Sequence, residues 1–479
     1  MPSLHWQSTG NDRADDLRNI ADNELLLHVL CTEQEHRDGL LENWRQLVGT
    51  EPDRGIIILD MLSGRSGGPS DIWRATLSAL RERAKEDGLR RRLIAILSTV
   101  PTVLFDKLEY SRSVADLLDS LQSSLAKERQ GESFWGLFDR ALRASEDDPE
   151  NSDEPRSDDW VGLAINRSLG HLATAFFSAI FAYQLRASDG IPIEHRDRLD
   201  ELVGIKRRGH RLARVIAASR LPYLFAVYPD WTRATLIPSM DWANEDEATA
   251  LWQGFAWQPR LNAELWAEIG KPFLASFTPE RLARLCDSER IMAQLLMLAG
   301  IEFRREDLPD ERARAAIMAM SPVMREDAIW WLRHYLTQAV EGDALPGERA
   351  DALWRDRVQP WLKRAWSHER GLRSRNLSAR FALLTTSTSN AFPEAVEFVL
   401  PFLIPTNDSL VLHELNRTNH PDQHPEATLQ LLTAICVPPE VASWHADDLR
   451  AIVAKLIESR PALRDDPAIR RYQELLRLH

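Results

Sequence analysis

The stretch WTRATLIPSMDWANEDEATALWQGFAWQPRLNAELW, residues 231–266, holds five of the sixteen tryptophans of the chain. Four of its apolar residues follow the i, i+3, i+4, i+7 spacing of a helix with one buried face: Ala248, Leu251, Trp252 and Phe255. Surfaces that stack bases interleave aromatic side chains with Arg and Lys instead. We therefore predict a helix in which Trp252 and Phe255 are almost fully buried. Trp257, about 140° round the helix from Trp252, should face a different neighbour.

The rest of the chain also has the pattern of helices. Hydroxyl side chains are expected to cap three helix starts, at Ser70, Thr278 and Ser321. Gly88 is expected to end the first of these helices. The strand-like runs are 55–62 and 91–100, and their length suits a buried strand or a buried helix equally well. Regular β alternation is absent, so we predict an all-α protein.

An internal repeat refines this prediction. Residues 392–403 (FPEAVEFVLPFL) align without gaps with residues 424–435 (HPEATLQLLTAI), at a spacing of thirty-two. Each copy has Pro and then Glu at a helix start, where a fixed φ and a negative charge are favourable. A period near thirty residues is typical of helical-hairpin repeats. We predict an irregular HEAT- or armadillo-like solenoid, with an irregular helical bundle as the alternative.

One segment divides the sequence. Residues 146–159 (EDDPENSDEPRSDD) carry eight acids, one base, two prolines and no large apolar side chain. Such a segment buries too little apolar surface to offset its ordering entropy. We predict an N-terminal helical region (1–145), an acidic flexible linker (146–159) and a helical-repeat domain (160–479).

Composition excludes several functional classes. The formal net charge of −13 argues against nucleic-acid binding, which depends on Lys and Arg contacts to phosphates. Cys31, Cys286 and Cys436 are too sparse for a disulfide framework or a zinc knuckle. The sequence starts without a signal peptide, and its most apolar run (172–185) is too short to span a bilayer. We expect a cytoplasmic protein without a membrane partner.

Several motifs suggest chemistry only weakly. His413, His420 and His424 form the best metal candidate, but no neatly spaced Cys or carboxylate completes the set. The run 55–70 resembles nucleotide machinery, with Asp60 after an apolar run, yet Gly68 is followed by Pro69 and Ser70 instead of the Lys and Ser or Thr of a P-loop.

The remaining motifs are basic. The pairs Arg167–His171 and Arg364–His368 have three intervening residues, one fewer than in helical nucleases with an R-x(4–6)-H motif. We interpret both as polar turns. The basic run KRRGHRLAR (206–214) is interpreted as a solvated helix face. We predict no catalytic, cofactor-binding or metal-binding residue and no enzymatic activity.

Two segments carry a family resemblance. LAINRSLGHLATA (163–175) and RLPYLFAVYPDWTRATLIPSMDW…EATALWQGFAWQPRL (220–261) resemble the C-terminal helical region, a domain of unknown function, of large bacterial sirtuin-like anti-phage defence proteins. The signature residues of the resemblance are Trp231, Pro238, Trp242, Trp252, Gly254, Phe255 and Trp257.

The resemblance implies a helical scaffold, and we expect the signature residues to be structural. The glycine-rich NAD loop and the catalytic His of a sirtuin-like fold are not found in this sequence. NAD hydrolysis would therefore require a partner chain or a preceding segment.

The resemblance and the composition together give a functional hypothesis. We expect a non-enzymatic scaffold or sensor module of a bacterial anti-phage defence-type system, which needs no cofactor. Its partner would be a protein: a sirtuin-like or other effector from a neighbouring gene, or a phage protein. The alternatives are an effector nuclease with an unrecognised site and a nucleic-acid-binding helical repeat.

Overall fold

The structure is a computed structural model of the 479-residue chain. It describes residues 17–31, 34–64, 69–121, 131–146, 148–151, 159–204, 210–338, 346–406, 408–437 and 446–478. Over these ranges the chain forms helices and short turns and no β-strand, so the all-α prediction is confirmed. The packing divides between Gln258 and Pro259 into two compact units, unit 1 and unit 2.

Unit 1 contains the first fifteen α-helices for which both ends are described. They are α1 Asp22–Cys31, α2 Gln34–Thr50, α3 Pro52–Ser63, α4 Ser70–Leu80, α5 Asp87–Thr99, α6 Thr102–Phe105, α7 Leu108–Ser120, α8 Gly131–Ser145, α9 Trp160–Ile165, α10 Ser168–Phe181, α11 Ile193–Val203, α12 Arg211–Ser219, α13 Leu221–Val227, α14 Pro229–Trp231 and α15 Glu245–Trp257. The main packing contacts run in series, from α2 to α4, then to α7, α10, α12 and α15.

Unit 2 contains the remaining α-helices. They are α16 Ala263–Ala275, α17 Pro279–Arg284, α18 Ser288–Glu302, α19 Asp310–Ala319, α20 Pro322–Thr337, α21 Pro346–Leu353, α22 Gln359–Ala365, α23 Arg375–Thr385, α24 Phe392–Val399, α25 Ser409–Arg417, α26 His420–Gln423, α27 Pro425–Ile435, α28 Ala446–Ser459 and α29 Pro467–Leu478. Both copies of the internal repeat begin a helix, α24 and α27, with Pro in the first turn, and these two helices pack together.

The two strand-like runs are helical. Residues 55–62 lie in α3 and residues 91–100 lie mostly in α5. Gly55 allows α3 to lie close to α2, because a Cβ at this position would be 2.7 Å from the side chain of Val48. The tertiary packing therefore selects the helix where the apolar pattern alone could not.

The predicted helix ends are only partly correct. Thr278 and Ser321 accept hydrogen bonds from the backbone N–H groups of Arg281 and Met324, so both N-caps are confirmed. Ser70 does not cap α4; it is the first residue of that helix, and its hydroxyl donates to Glu109 at 3.1 Å. Gly88 lies in the first turn of α5, whereas α4 already ends at Leu80.

The acidic segment 146–159 contains ordered structure. Asp148 and Asn151 are buried, and Pro149–Asn151 form a 3-10 turn. Asn151 donates hydrogen bonds to the carbonyl of Ser145 and to the hydroxyl of Ser168, each at 2.9 Å. These parts are not the flexible tether that composition suggested, because the carboxylate of Asp148 and the amide N–H groups of Asn151 are paired inside the fold. Residues 147 and 152–158 lie outside the described residues.

The tryptophan-rich stretch behaves mainly as predicted. Trp252 and Phe255 on α15 are both 0% exposed, and their rings meet edge to face with centroids 5.8 Å apart. The indole N–H of Trp252 donates to the carbonyl of Met240 at 3.1 Å. Trp257 is 42% exposed, so this ring is only partly covered, and the neighbour that its covered side faces stays a prediction. The last turn of α15 reaches the surface.

Gly254 allows α15 to lie very close to the backbone of α12. A Cβ at this position would lie 2.3 Å from the backbone carbonyl oxygen of Val215 on α12. A carbonyl in a helix cannot move away as a flexible side chain could. The glycine of the resemblance signature is therefore required by the contact between α12 and α15.

We expect Gly254→Ala to lower the free energy of unfolding by about 1–3 kcal/mol, because the added methyl group overpacks the α12–α15 contact. The matched control is Gly136→Ala on α8, where a Cβ would meet nothing within 4 Å. This control should gain up to about 1 kcal/mol from higher helix propensity. Urea unfolding followed by circular dichroism measures both, and equal effects of the two substitutions would contradict the close-packing explanation.

The structure also bears on the membrane prediction. The apolar run 172–185 lies mostly in α10, whose inner face is buried in unit 1. Among the described residues, no helix combines the length and the apolar character that crossing a bilayer requires.

Candidate functional site

A polar groove crosses unit 1 between α4, α7 and the α9–α10 junction. Polar side chains follow one face of α7 at helical spacing: Glu109, Arg112, Asp116 and Asp119. Two adjoining cavities of about 620 and 280 Å³ share Asp116, Asn166 and His171 in their walls. The face of α7 between Glu109 and Ser120 covers about 16 Å of helix axis, enough for a short peptide segment.

His171 lies at the centre of the groove between two carboxylates. Its Nδ1 is 2.9 Å from Oδ2 of Asp119, and its Nε2 is 3.8 Å from Oδ1 of Asp116. Asp116 also accepts a hydrogen bond at 2.9 Å from Arg81, the residue that directly follows α4. The two acids are three residues apart on α7, so they face the same imidazole from successive turns.

The backbone at the start of α10 sets the position of His171. A Cβ on Gly170 would lie 1.7 Å from the carbonyl oxygen of Ala164, so only glycine allows α9 to end this close to α10. His171 is in the first turn of α10 and directly follows Gly170 in the sequence. Its side chain is 17% exposed and carboxylate-bound, so the Arg167–His171 motif is not a freely solvated turn.

The lining charges of the groove are nearly balanced. Five Lys or Arg residues line the two cavities together with four acids: Arg74, Arg81, Lys85, Arg112 and Arg167, against Glu82, Glu109, Asp116 and Asp119. Lys85 contacts Glu82 at 2.7 Å, and Arg112 pairs with the buried carboxylate of Asp148. A site for a polyanion carries an excess of unpaired cations. This groove suits a ligand of mixed charge.

The basic run 206–214 contributes to the interior of unit 1. Arg211 and Arg214 are buried, and both donate to the buried carboxylate of Glu247 on α15, Arg211 at 2.9 Å. The guanidinium of Arg211 also lies 4.9 Å from the ring centre of Trp160. The prediction of a solvated helix face is wrong for residues 210–214. Residues 206–209 lie outside the described residues.

The two arginines control the ionisation of Glu247. Burial by itself raises the pKa of this carboxyl group, but hydrogen bonds and charge from Arg214 and Arg211 outweigh burial. The net result is a pKa below the ordinary value of 4.5. Glu247 is therefore ionised within a compact, internally paired ion cluster.

The three candidate metal ligands have other contacts. His420 is buried and stacks on Phe392 with ring centroids 4.0 Å apart, and the ring of His424 lies 6.2 Å from that of His420. His413 is half-exposed, with Nδ1 3.6 Å from Asp448. Within the described ranges, no three His, Cys, Asp or Glu side chains are grouped closely enough to hold a metal ion.

The other weak motifs are also dispersed. Asp60 is exposed on α3, and Gly68 lies outside the described residues. Arg364 is 3.5 Å from Asp310, whereas the ring of His368 stacks on Phe402 at 4.6 Å. The structure thus brings neither motif together as a site.

The cysteines have separate environments. Cys286 is exposed and Cys436 is buried, both as free thiols. Burial raises the pKa of Cys436 to about 12, which keeps this thiol protonated. The side chain of Cys31 lies outside the described part of the chain.

Most signature residues hold unit 1 together. Trp242 is 5% exposed, Trp252 and Phe255 are fully buried, and Gly254 lies against the backbone of Val215 on α12. Trp231 is half-buried, with its indole N–H donating to Asp200 at 2.6 Å.

The remaining two signature positions are at the surface. Pro238 is exposed in the 3-10 turn Ile237–Met240, and Trp257 is exposed at the end of α15.

Sequence reasoning missed the carboxylates around His171. The available signal was the pair Asp116 and Asp119, one turn apart in a helical pattern. The partner histidine is 52 residues from Asp119 along the chain, so no local pattern connects them.

Comparison with known proteins gives a distant relative but no family. No family model matches the chain. The chain is 24% identical over 338 residues to uncharacterized protein y4cA of Sinorhizobium fredii. The match covers 69% of this chain but only 27% of that protein, so the relative is a much longer polypeptide.

The buried imidazole of His420 should make unit 2 sensitive to acid. Burial lowers the pKa of His420 from 6.5 to about 4, although a hydrogen bond to the carbonyl of Thr386 partly opposes this effect. The unfolded chain therefore binds the proton more readily. The stabilisation is complete above pH 6.5 and is lost as the pH falls toward 4, by up to about 3 kcal/mol.

Urea unfolding of the wild type and of His420→Phe between pH 7 and pH 4 tests this. Phenylalanine keeps an aromatic ring on Phe392 but cannot be protonated. The variant should lose less stability on acidification than the wild type. If the free energy of unfolding falls equally with pH in both proteins, His420 is not the cause of the acid sensitivity.

Proposed function

We propose that this chain is a non-enzymatic helical scaffold or sensor module of a bacterial anti-phage defence-type system, and that it binds a protein partner. The observation that carries the proposal is that most signature residues are buried and serve packing. Trp242, Trp252, Gly254 and Phe255 pack inside unit 1, where they maintain a shape. Because these residues are structural, the resemblance indicates a shared helical scaffold and not a shared active site.

The distant relative supports a modular role. The match to y4cA occupies about a quarter of a longer bacterial protein, as expected for a helical region combined with other domains. The serial packing from α2 to α15 is compatible with an irregular HEAT- or armadillo-like solenoid. We propose that arrangement for the chain, with a cytoplasmic effector or phage protein as the partner.

The polar groove of unit 1 is the proposed contact surface for the partner. Ile165 at the end of α9 is 42% exposed and lines the groove among charged side chains such as Arg81. An apolar anchor inside a polar rim is a common arrangement in protein interfaces. The balanced charges favour a polypeptide over a nucleic acid, because a polyanion would lack enough cations to contact.

A phage challenge of cells carrying the gene with its native neighbours tests the proposal. Deleting the gene should abolish protection, and Ile165→Asp should reduce it because a charge replaces the apolar anchor of the groove. The matched control is Ile193→Asp on α11, where the isoleucine is 74% exposed and lies outside the groove lining. Full protection after deletion would overturn the defence role. Equal effects of the two substitutions would overturn the groove as the contact surface.

One observation favours an effector hydrolase, such as a nuclease, as a second candidate. The 2.9 Å contact between Asp119 and His171 in a concave groove is the arrangement of a base held by an orienting carboxylate. The other ring nitrogen, Nε2, would act as the base, but it lies 3.8 Å from the carboxylate of Asp116, which occupies the place of a substrate. Purified protein should degrade RNA or DNA if this candidate is correct, and His171→Gln should abolish that activity while keeping the thermal midpoint. No cleavage by the wild type would remove the candidate.

A further inference from the structure

An exposed tryptophan lies at the junction of two helices in unit 2. Trp330 on α20 is 39% exposed, although its neighbours Ile329 and Leu332 are fully buried. α20 packs closely on α23 at this point. The indole therefore occupies a fixed position at the surface, which is how aromatic anchors of protein interfaces are presented.

Two guanidinium groups lie over the indole ring. The Cζ atoms of Arg333 and Arg380 are 5.0 and 4.5 Å from the ring centre of Trp330. Contacts of this kind hold a cation against an aromatic face. Both arginines are thus positioned by the tryptophan and extend its apolar surface with a positively charged edge.

The two arginines differ in their polar partners. Arg333 donates to Glu414 of α25 at 3.0 Å, and the side chains of this pair are only about one-fifth exposed. Arg380 has no hydrogen-bond or ion-pair partner among the described residues. The nearby acid Glu326 is already bonded to Ser374. The donors of Arg380 are consequently available for an external carboxylate.

A second exposed apolar side chain continues the surface. Val323 is 43% exposed and precedes Trp330 by seven residues on α20. Seven residues are about two helical turns, so the two side chains share a face about 10 Å apart along the axis. An extended peptide covers that distance with about three residues.

We propose that the Trp330 surface, formed by Val323, Trp330, Arg333 and Arg380, binds an acidic segment of a protein partner. A carboxylate of the segment pairs with Arg380, and an apolar side chain two or three positions away lies on Trp330 and Val323. Charge-assisted bonds from a guanidinium to a carboxylate fix orientation, and the aromatic contact supplies apolar burial. The inference rests on the proposed scaffold role and adds the chemistry of one partner.

The test is a peptide-display experiment: a library of random peptides is selected for binding to the purified full chain. Peptides that also bind the double variant Trp330→Ala/Arg380→Glu are discarded. The remaining peptides should contain Asp or Glu within about three residues of an aromatic or aliphatic side chain. Binding of one such peptide is then measured by fluorescence anisotropy, with a single-stranded DNA oligonucleotide as a competitor.

Trp330→Ala and Arg380→Glu should each weaken binding of the selected peptide about tenfold or more, as for interface anchors. Matched controls are Arg464→Glu, the same charge change at an exposed site of unit 2, and Trp257→Ala, an exposed tryptophan of unit 1. Both controls should bind normally. All four variants should keep the thermal midpoint, because Trp330, Trp257 and Arg464 are exposed and the half-buried Arg380 makes no hydrogen bond or ion pair within the described residues.

Three outcomes would overturn the proposal: no enrichment, enriched peptides without acids, or equal binding by variants and controls. Displacement of the peptide by the oligonucleotide, with tighter binding of the DNA, would assign the surface to nucleic acid instead. The phage challenge does not depend on this result. Loss of protection on gene deletion combined with failed peptide selection would leave the scaffold role standing without this surface.

Discussion

Trp252→Ala is expected to lower the free energy of unfolding by about 3–5 kcal/mol. The indole is fully buried, donates to the carbonyl of Met240 and meets the ring of Phe255 edge to face. Alanine would leave a cavity and a buried carbonyl without its donor. A loss of this size approaches the whole stability of many domains, so the variant should unfold early or express poorly.

Thermal and urea unfolding of the purified protein measure the effect. Trp257→Ala is the control, because Trp257 belongs to the same helix but is 42% exposed. It should leave the midpoint almost unchanged. A normal midpoint for Trp252→Ala, with lost partner binding, would assign this indole to a ligand instead of the core.

The second large effect is expected at the internal ion cluster of unit 1. Glu247→Ala removes the carboxylate that neutralises the buried guanidinium groups of Arg211 and Arg214. Breaking a buried ion pair from one side costs about 3–5 kcal/mol, because the remaining charges have lost their counter-ion. We therefore expect a loss comparable to that of Trp252→Ala.

The pH dependence of unfolding provides a second measurement. The pKa of Glu247 in the fold is below 4.5, so its stabilisation is complete above that pH and is lost as the pH falls through the folded value. Glu82→Ala is the control, since its ion pair with Lys85 is exposed and should contribute little. Similar midpoints for Glu247→Ala and Glu82→Ala would contradict the internal cluster.

Local patterns in the sequence were sufficient for the fold class and for part of the core. The i, i+3, i+4, i+7 spacing around Trp252 predicted α15 and the burial of Trp252 and Phe255, because helix periodicity is encoded within a few turns. Hydroxyl caps at Thr278 and Ser321 were predicted for the same reason. The solenoid arrangement and the functional hypothesis remain predictions.

Local patterns could not predict contacts between residues that are far apart in the sequence. The arginines at 211 and 214 had the pattern of a solvated face, but Glu247, 36 residues after Arg211, makes their burial favourable. Composition predicted a tether at 146–159, whereas Asp148 and Asn151 are held by Arg112 and Ser168.

The candidate site depends on tertiary structure in the same way. His171 meets Asp119 across 52 residues, and Trp330 meets Arg380 across the α20–α23 contact. The sequence by itself determined the all-α class and the buried face around Trp252, because both follow from the spacing of neighbouring residues. Only the tertiary structure decided which charges are paired inside and which remain at the surface, because burial and pairing depend on the helix that packs against each side chain.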